Sequence, residues 1–279
     1  MRPLRGRFDS GACLDNPPAI CIIVPIQLYT AGSSARIDPR SILIEELWNG
    51  LRQAIELIFS RDEALTEIVA LSLRVSGIAL IFSTLVGVPV GAALGLTRFF
   101  GRKFVVALMY TGMGFPPVVV GLFVYLMLSR SGPLGQLDSP LIPNLFTPGA
   151  MIIAQAIIAF PLVAGFTMAA VMSVDPQLRQ QVESLGATAW QTAWTVISEA
   201  RIGVIVAVIA GFGGIISEVG AVMLVGGNIE GRTRVLTTAI VLETRKGNFE
   251  LAIALGVILL GITFIINALM MRLQGRSFD

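Results

Sequence analysis

Few residues of this 279-residue chain are equipped for reaction chemistry. There is no histidine, which removes imidazole bases, imidazole metal ligands and imidazole proton relays. Cys13 and Cys21 both lie near the start, and their spacing fits no metal site. The only two lysines stand in "GRK" at Lys103 and "TRKGN" at Lys246, and neither closes a Gly-rich phosphate loop of the GK[ST] type. ATP hydrolysis by that route is excluded. No carboxylate cluster falls inside the apolar runs, which argues against a membrane-embedded enzyme. Two sets of polar residues remain. Arg74 and Glu218 are ionisable groups within apolar segments, where a charge needs a reason. Ser217, Asn228, Thr233, Thr237 and Thr238 supply hydroxyl and amide groups in or just before the stretch 226–247, alongside Arg232 and Arg234.

The elements that position these groups are membrane helices. Mean hydropathy is +0.80 and 14% of residues are charged, against about 25% in a soluble domain. A net charge of +2 without a basic, aromatic-interleaved cluster excludes a nucleic-acid partner. Five apolar runs, 68–96, 104–128, 150–172, 202–225 and 251–271, are long enough for about 30 Å of hydrocarbon. Pro89, Pro116, Pro117 and Pro161 fall inside three of them, which lipid-embedded helices tolerate when neighbours satisfy the freed carbonyls. The fold class is therefore an all-α polytopic membrane protein contacting lipid, with helices packed through small residues.

Residues 41–61 precede the first run as an amphipathic helix. Leu47, Trp48, Leu51, Ala54, Ile55, Ile58 and Phe59 share one face. That pattern fits a helix lying in the membrane interface or one packed on the bundle. Asp38-Pro39 is placed to start this helix, and Ser60-Arg61-Asp62-Glu63 to cap the next. Residues 1–40 mix Gly, Pro, Ser and Arg around one short apolar run and are expected to be a disordered extension. Arg74 lies about 9 Å into the first run and Glu218 about 10 Å from the end of the fourth. Equal depth on one side suggests an ion pair or shared polar network, with Arg74 snorkelling to the interface as the alternative. Lysines and arginines divide seven against seven between the two sides, so charge does not orient the chain.

Residues 174–200 are a polar break between the third and fourth runs. Asp175-Pro176 is an acidic N-cap followed by proline at the first helical position. Gly186 can end that helix, and a second short one follows through Trp190 and Trp194. Two short helices at an angle make a knob suited to a groove on another protein. The stretch "DPQLRQQVESLGATAWQTAWTVI" resembles the coupling loop of ABC importer permeases, with Gly186 at the family's glycine. Gln180, Gln181 and Val182 stand where Glu-Ala-Ala is usual, and Ser198-Glu199 replaces Leu-Pro. "FPPVVVGLFVYLMLSRSGPLG" and "ISEVGAVMLVGGNIEGRTRVLTTAIVLETRKGNFELA" are similar to oxyanion permeases, closest to the tungstate-uptake type, then molybdate and sulfate.

This resemblance implies a type I ABC importer permease fold over 62–275 and import of an oxyanion, most of all tungstate. It implies a cytoplasmic loop engaging an ATPase through Asp175, Pro176, Gln180, Glu183, Leu185, Gly186, Ala187 and Trp190. The expected assembly is a homodimer with two ABC ATPase subunits and an extracytoplasmic oxyanion-binding protein. The chain itself is expected to hold no cofactor or metal, ATP and Mg being bound by the ATPase. It is expected in the bacterial inner membrane, N-terminus outside and C-terminus cytoplasmic. A doubly charged tetrahedral anion needs modest donors along its path, because strong ones would trap it. Ser217, Glu218, Asn228, Thr233, Arg234, Thr237 and Thr238 are the residues expected to provide pathway and gate. Thr233 to Thr238 capping and packing their own helix is the alternative. An ATP-independent secondary transporter is the rival class, and it calls for an internal repeat and more embedded charges than are present.

Overall fold

The computed structural model describes residues 39–60, 63–137, 139 and 142–273. Those residues form α1 (Pro39–Ser60), α2 (Glu63–Leu96), α3 (Arg102–Met113), α4 (Pro117–Leu128), α5 (Pro148–Met172), α6 (Pro176–Ser184), α7 (Ala189–Glu199), α8 (Arg201–Ile216), α9 (Gly220–Gly226), α10 (Leu236–Arg245) and α11 (Phe249–Leu273), with no strand among them. Residues 1–38 of the extension expected over 1–40, Asp38 as a cap, and Arg61-Asp62 lie outside the described residues, while Pro39 and Arg40 open α1.

α2, α5 and α11 are each long and apolar enough to cross a membrane. α5 is the centre of the bundle, packed against α2, α3, α4, α8 and α9. Its tightest seam is with α2, where Gly87, Gly91 and Gly95 fall one turn apart and face Val163, Ala164, Thr167 and Val171. A β-carbon at Gly87 would come within 3.1 Å of Val163 Cγ1, and one at Gly91 would meet the carbonyl oxygen of Ala164. Without side chains there, the two backbones approach closely enough for dispersion to hold them where hydrophobic driving force is lost to lipid.

Two expected spans are broken. The run 104–128 is not one helix: α3 and α4, twelve residues each, meet at 101°. The break falls at Phe115-Pro116-Pro117, where Pro116 is extended (φ −60°, ψ 120°). A proline disfavours helical backbone in the residue before it, so a Pro-Pro pair stops a helix that a single proline leaves intact. Pro89 and Pro161, which stand alone, sit inside continuous helices. The run 202–225 likewise divides into α8 and α9 at Ser217-Glu218-Val219. α8 alone is 16 residues, about 24 Å, and it meets α7 at 67°. Counting each bent pair, α3 with α4 and α7 with α8, as one span gives up to five crossings.

α1 begins at Pro39, two residues before the expected boundary, and packs on α11 through its small residues. Gly50 lies against Ile253, Ala54 is buried with Leu255 and Ile258, and Asn49 Nδ2 donates to Glu250 Oε1 at 3.1 Å. Leu47, Trp48, Leu51, Ile55 and Phe59 stay exposed. One edge of this helix packs on the bundle, and its large apolar edge faces outward.

The α2–α5 seam makes a stability prediction of opposite signs. Gly91→Leu overpacks a backbone contact and should destabilise by about 1–3 kcal/mol. Gly77→Ala, with nothing within 4 Å of the added carbon, should stabilise by about 0.5–1 kcal/mol as a helix-interior glycine replaced. Thermal unfolding of the detergent-solubilised protein separates the two.

Candidate functional site

The polar break between α5 and α8 folds as a doubly capped helix pair. Asp175 Oδ1 accepts from the Gln177 backbone N–H at 2.8 Å, and Pro176 opens α6. α6 stops at Leu185, and Gly186 turns the chain with φ +83° and open space around it. The left-handed conformation, not crowding, is what requires glycine there. The Gly186 N–H donates to Glu183 O, and Ala187 N–H to Val182 O. α7 then starts with a capping box in which Gln191 Oε1 accepts from the Thr188 N–H at 2.8 Å. Its reciprocal half, Gln191 N–H to Thr188 Oγ1, is longer at 3.4 Å. The Thr-x-x-Gln signature was present in the sequence and marks this start.

α7 has two faces. Thr192 and Val196 are buried, Val196 against Ala92, Val171 and Ala200. Trp190 and Trp194, also four residues apart, are 75% and 64% exposed, and Leu185 at the turn is 87% exposed. Gln180 and Glu183 are exposed on α6. Exposed tryptophans at helical spacing on α7, with a bare leucine at the turn before it, are suited to burial by a partner. Between α7 and the end of α2 lies an apolar cleft of about 470 Å³ walled by Pro89, Ala92, Leu96, Trp190, Trp194 and Ile197.

Arg179, which sequence reasoning counted only as a loop charge, fixes this pair to the bundle. Its Nη1 donates to Leu96 O, the last carbonyl of α2, at 2.9 Å, and its Nε pairs with Glu183 at 3.0 Å. Arg102 Nε donates to Leu94 O at 2.8 Å in the same way. Cations at a helix C-terminus satisfy carbonyls that have no partner within the helix. The signal was legible only as arginines near a helix end whose position was unknown.

The second group of residues gathers at the other end of α2. Ser72 Oγ accepts from the Leu236 N–H at 2.9 Å, locking the start of α10 to α2. Ser72 and Ala92, which touch the two sites, are 20 residues apart, about 30 Å along one helix. That separation equals the hydrocarbon thickness of a bilayer. The hydroxyls here are committed to the fold. Thr233 Oγ1 donates to Gly226 O and accepts from the Ile229 N–H, and Thr238 Oγ1 accepts from the Val235 N–H at the start of its own helix. Thr237 Oγ1 donates to Glu218 O at 3.1 Å, and Ser217 Oγ donates to Gly213 O. Thr233 and Thr238 thus cap and pack, the alternative left open above. Asn228 (φ +52°) leaves its buried Oδ1 without a protein partner.

The ion pair expected between Arg74 and Glu218 does not form. Glu218 Oε1 accepts from the Ala221 N–H at 2.9 Å, capping the start of α9, and the residue is buried. Arg74 is exposed and faces a different cleft with Arg232 and Arg234. Equal depth in the sequence overlooked the break at 217–219, which gives Glu218 its own unpaired N–H groups to satisfy.

A helical bundle with one doubly capped polar knob matches known proteins. The model of the family described as "Binding-protein-dependent transport system inner membrane component" matches residues 87–278. The chain belongs to that family. A probable anion ABC transporter permease protein of Haloferax volcanii is 46% identical, over 76% of this chain and 92% of the relative. The tungstate uptake system permease protein TupB of Peptoclostridium acidaminophilum is 40% identical, over 83% and 99%. Permeases named for molybdenum and sulfate match less well. The fold is that of a crystal structure of a bacterial alginate ABC transporter in complex with its pentasaccharide-bound periplasmic protein (TM-score 0.67, 20% identity, 86% of this chain and 89% of that one). The chain is a multi-pass permease subunit of the inner-membrane class.

Local geometry at the knob can be tested directly. Thr188→Ala should cost about 1 kcal/mol of cap, and Gly186→Ala about 1 kcal/mol or more for the left-handed turn. Both should raise amide hydrogen exchange in α6 and α7 while leaving exchange in α2 and α5 unchanged.

Proposed function

We propose that this chain is the membrane subunit of an ATP-driven importer of tungstate, working as a homodimer with two ABC ATPase subunits and an extracytoplasmic binding protein. The observation that carries this reading is the rigid α6–α7 knob with Leu185, Trp190 and Trp194 bare at one end of the bundle. It is supported by 40% identity to a permease named for tungstate uptake. In this reading the knob is cytoplasmic, the C-terminus is on the same side, and α1 starts outside. The ATPase, which holds ATP and Mg, covers Leu185 and Trp190. Asp175, Pro176, Gly186 and Ala187 set the knob's shape, Glu183 holds Arg179 in place beside α2, and Gln180 is exposed on α6. ATPase closure pulls the knob, and Arg179 transmits the pull to the last turn of α2. The break at Ser217-Glu218-Val219 is the place where strain opens a path, because three side-chain bonds and no continuous helix hold it. The anion enters at the end carrying Asn228 and Arg234. The Thr237 hydroxyl, held on Glu218 O, reaches it as that break moves, while Thr233 and Thr238 keep their capping bonds.

Trp190→Glu and Leu185→Asp alter exposed residues and should shift the unfolding temperature little. Each should abolish co-purification with the ATPase and ATP-dependent tungstate uptake in proteoliposomes. Retention of both properties by the double variant would remove the knob from the mechanism. Molybdate and sulfate competition in the same vesicles ranks the anions.

A further inference from the structure

At the end of the bundle opposite the knob, α2 and the turn before α10 enclose a cleft of about 230 Å³ lined by Glu67, Leu71, Arg74, Gly231, Arg232 and Arg234. Arg74 lies 18 residues from Ala92, about 27 Å along α2 from the apolar cleft at α7. We propose that this cleft is a receiving site for a tetrahedral oxyanion on the permease itself. The inference rests on reading the chain as an oxyanion importer and assigns the residues that first take the anion.

Three observations carry it. First, the charge is unbalanced. The guanidinium groups of Arg74 and Arg232 make no hydrogen bond or ion pair with another described residue. Arg234 pairs only with Glu230, at 3.2 Å, and that carboxylate is 80% exposed and therefore screened. Arg74, Arg232 and Arg234 share the space with Glu67, and Arg234 is further offset by Glu230 and Glu243, which leaves the positive excess on Arg74 and Arg232. Like charges gathered beside apolar walls repel, and a dianion relieves that repulsion. Second, the Arg234 Nε is buried and has no partner among the described residues, and an unsatisfied buried donor is costly unless a ligand or water meets it. Third, the space suits the ligand. At about 30 Å³ per water it holds roughly seven or eight waters, room for a tetrahedral anion and part of its shell. Gly231 (φ +65°) adds no side chain to the opening.

Guanidinium forks from two elements match tetrahedral oxygens better than ammonium groups would. Glu67 in the same wall weakens the hold, so an anion that enters can also leave, as a waypoint on a conduction route requires. A lipid phosphate presents the same oxygens, and the experiment has to separate the two sources.

The complete transporter, without binding protein, is placed in phosphatidylcholine nanodiscs and titrated with tungstate by calorimetry. Saturable binding is expected. Arg74→Gln and Arg232→Gln should each weaken it about tenfold or more, the loss of one charge-assisted contact, without change in unfolding temperature. Arg74→Lys should retain part of the affinity. Absence of saturable binding, or binding unaffected by both glutamine variants, overturns the proposal. A parallel arm uses discs containing phosphatidylglycerol. If the variants change retention of that lipid and leave tungstate binding untouched, the cleft is a headgroup site and the proposal also falls. Uptake in proteoliposomes keeps the two levels apart. ATP-driven tungstate uptake with variant-insensitive binding rejects the cleft alone, whereas no uptake by the wild type rejects the functional reading.

Discussion

Backbone groups freed inside an apolar solvent must be satisfied by the chain itself, and the architecture follows from how this is done. A helix that stops within hydrocarbon strands N–H and C=O groups at several kcal/mol each. This chain stops one at Ser217-Glu218-Val219 and meets the cost with side chains from α5, from α10 and from the break itself. Gln155 Nε2 of α5 donates to Ile215 O, Thr237 of α10 donates to Glu218 O, and Glu218 accepts from the Ala221 N–H. The central helix, the broken helix and the start of α10 are thereby held in one register. The ends of α2 follow the same rule, with Arg102 and Arg179 serving carbonyls at one end and Ser72 serving the Leu236 N–H towards the other.

Because these bonds join elements, motion at one polar end has a route to the other. α2 touches both. Its seam with α5 is made of glycines and small side chains, so the two helices behave as one rigid body. The knob is fixed to that body by Arg179 and by Val196 packing on Ala92 and Val171. The break at 217–219 is held by side-chain hydrogen bonds in place of a continuous helical ladder.

The knob was the most legible part of the sequence. Asp175-Pro176 and Gly186 each carry a local rule, a cap and a left-handed turn, that operates without tertiary help, and both fold as that rule demands. The five-run reading found the apolar segments but not the two breaks. Hydropathy records composition and is blind to a Pro-Pro pair or to a carboxylate capping a short helix. The reading of Thr233 and Thr238 as pathway donors met the same limit, since their types suit either role and only their partners decide it.

Composition and local chemistry by themselves determined that this is a helical membrane protein, and where its polar knob starts and turns. Those properties depend on residue type and on neighbours within a few positions. Tertiary structure decided that Glu218 caps a helix in place of pairing with Arg74. It also decided that Arg179 anchors the knob and that Arg74 shares a cleft with Arg232 and Arg234. Each of those partnerships except the Glu218 cap joins residues more than 80 positions apart, and the cap itself exists only because the fold breaks the helix beneath it.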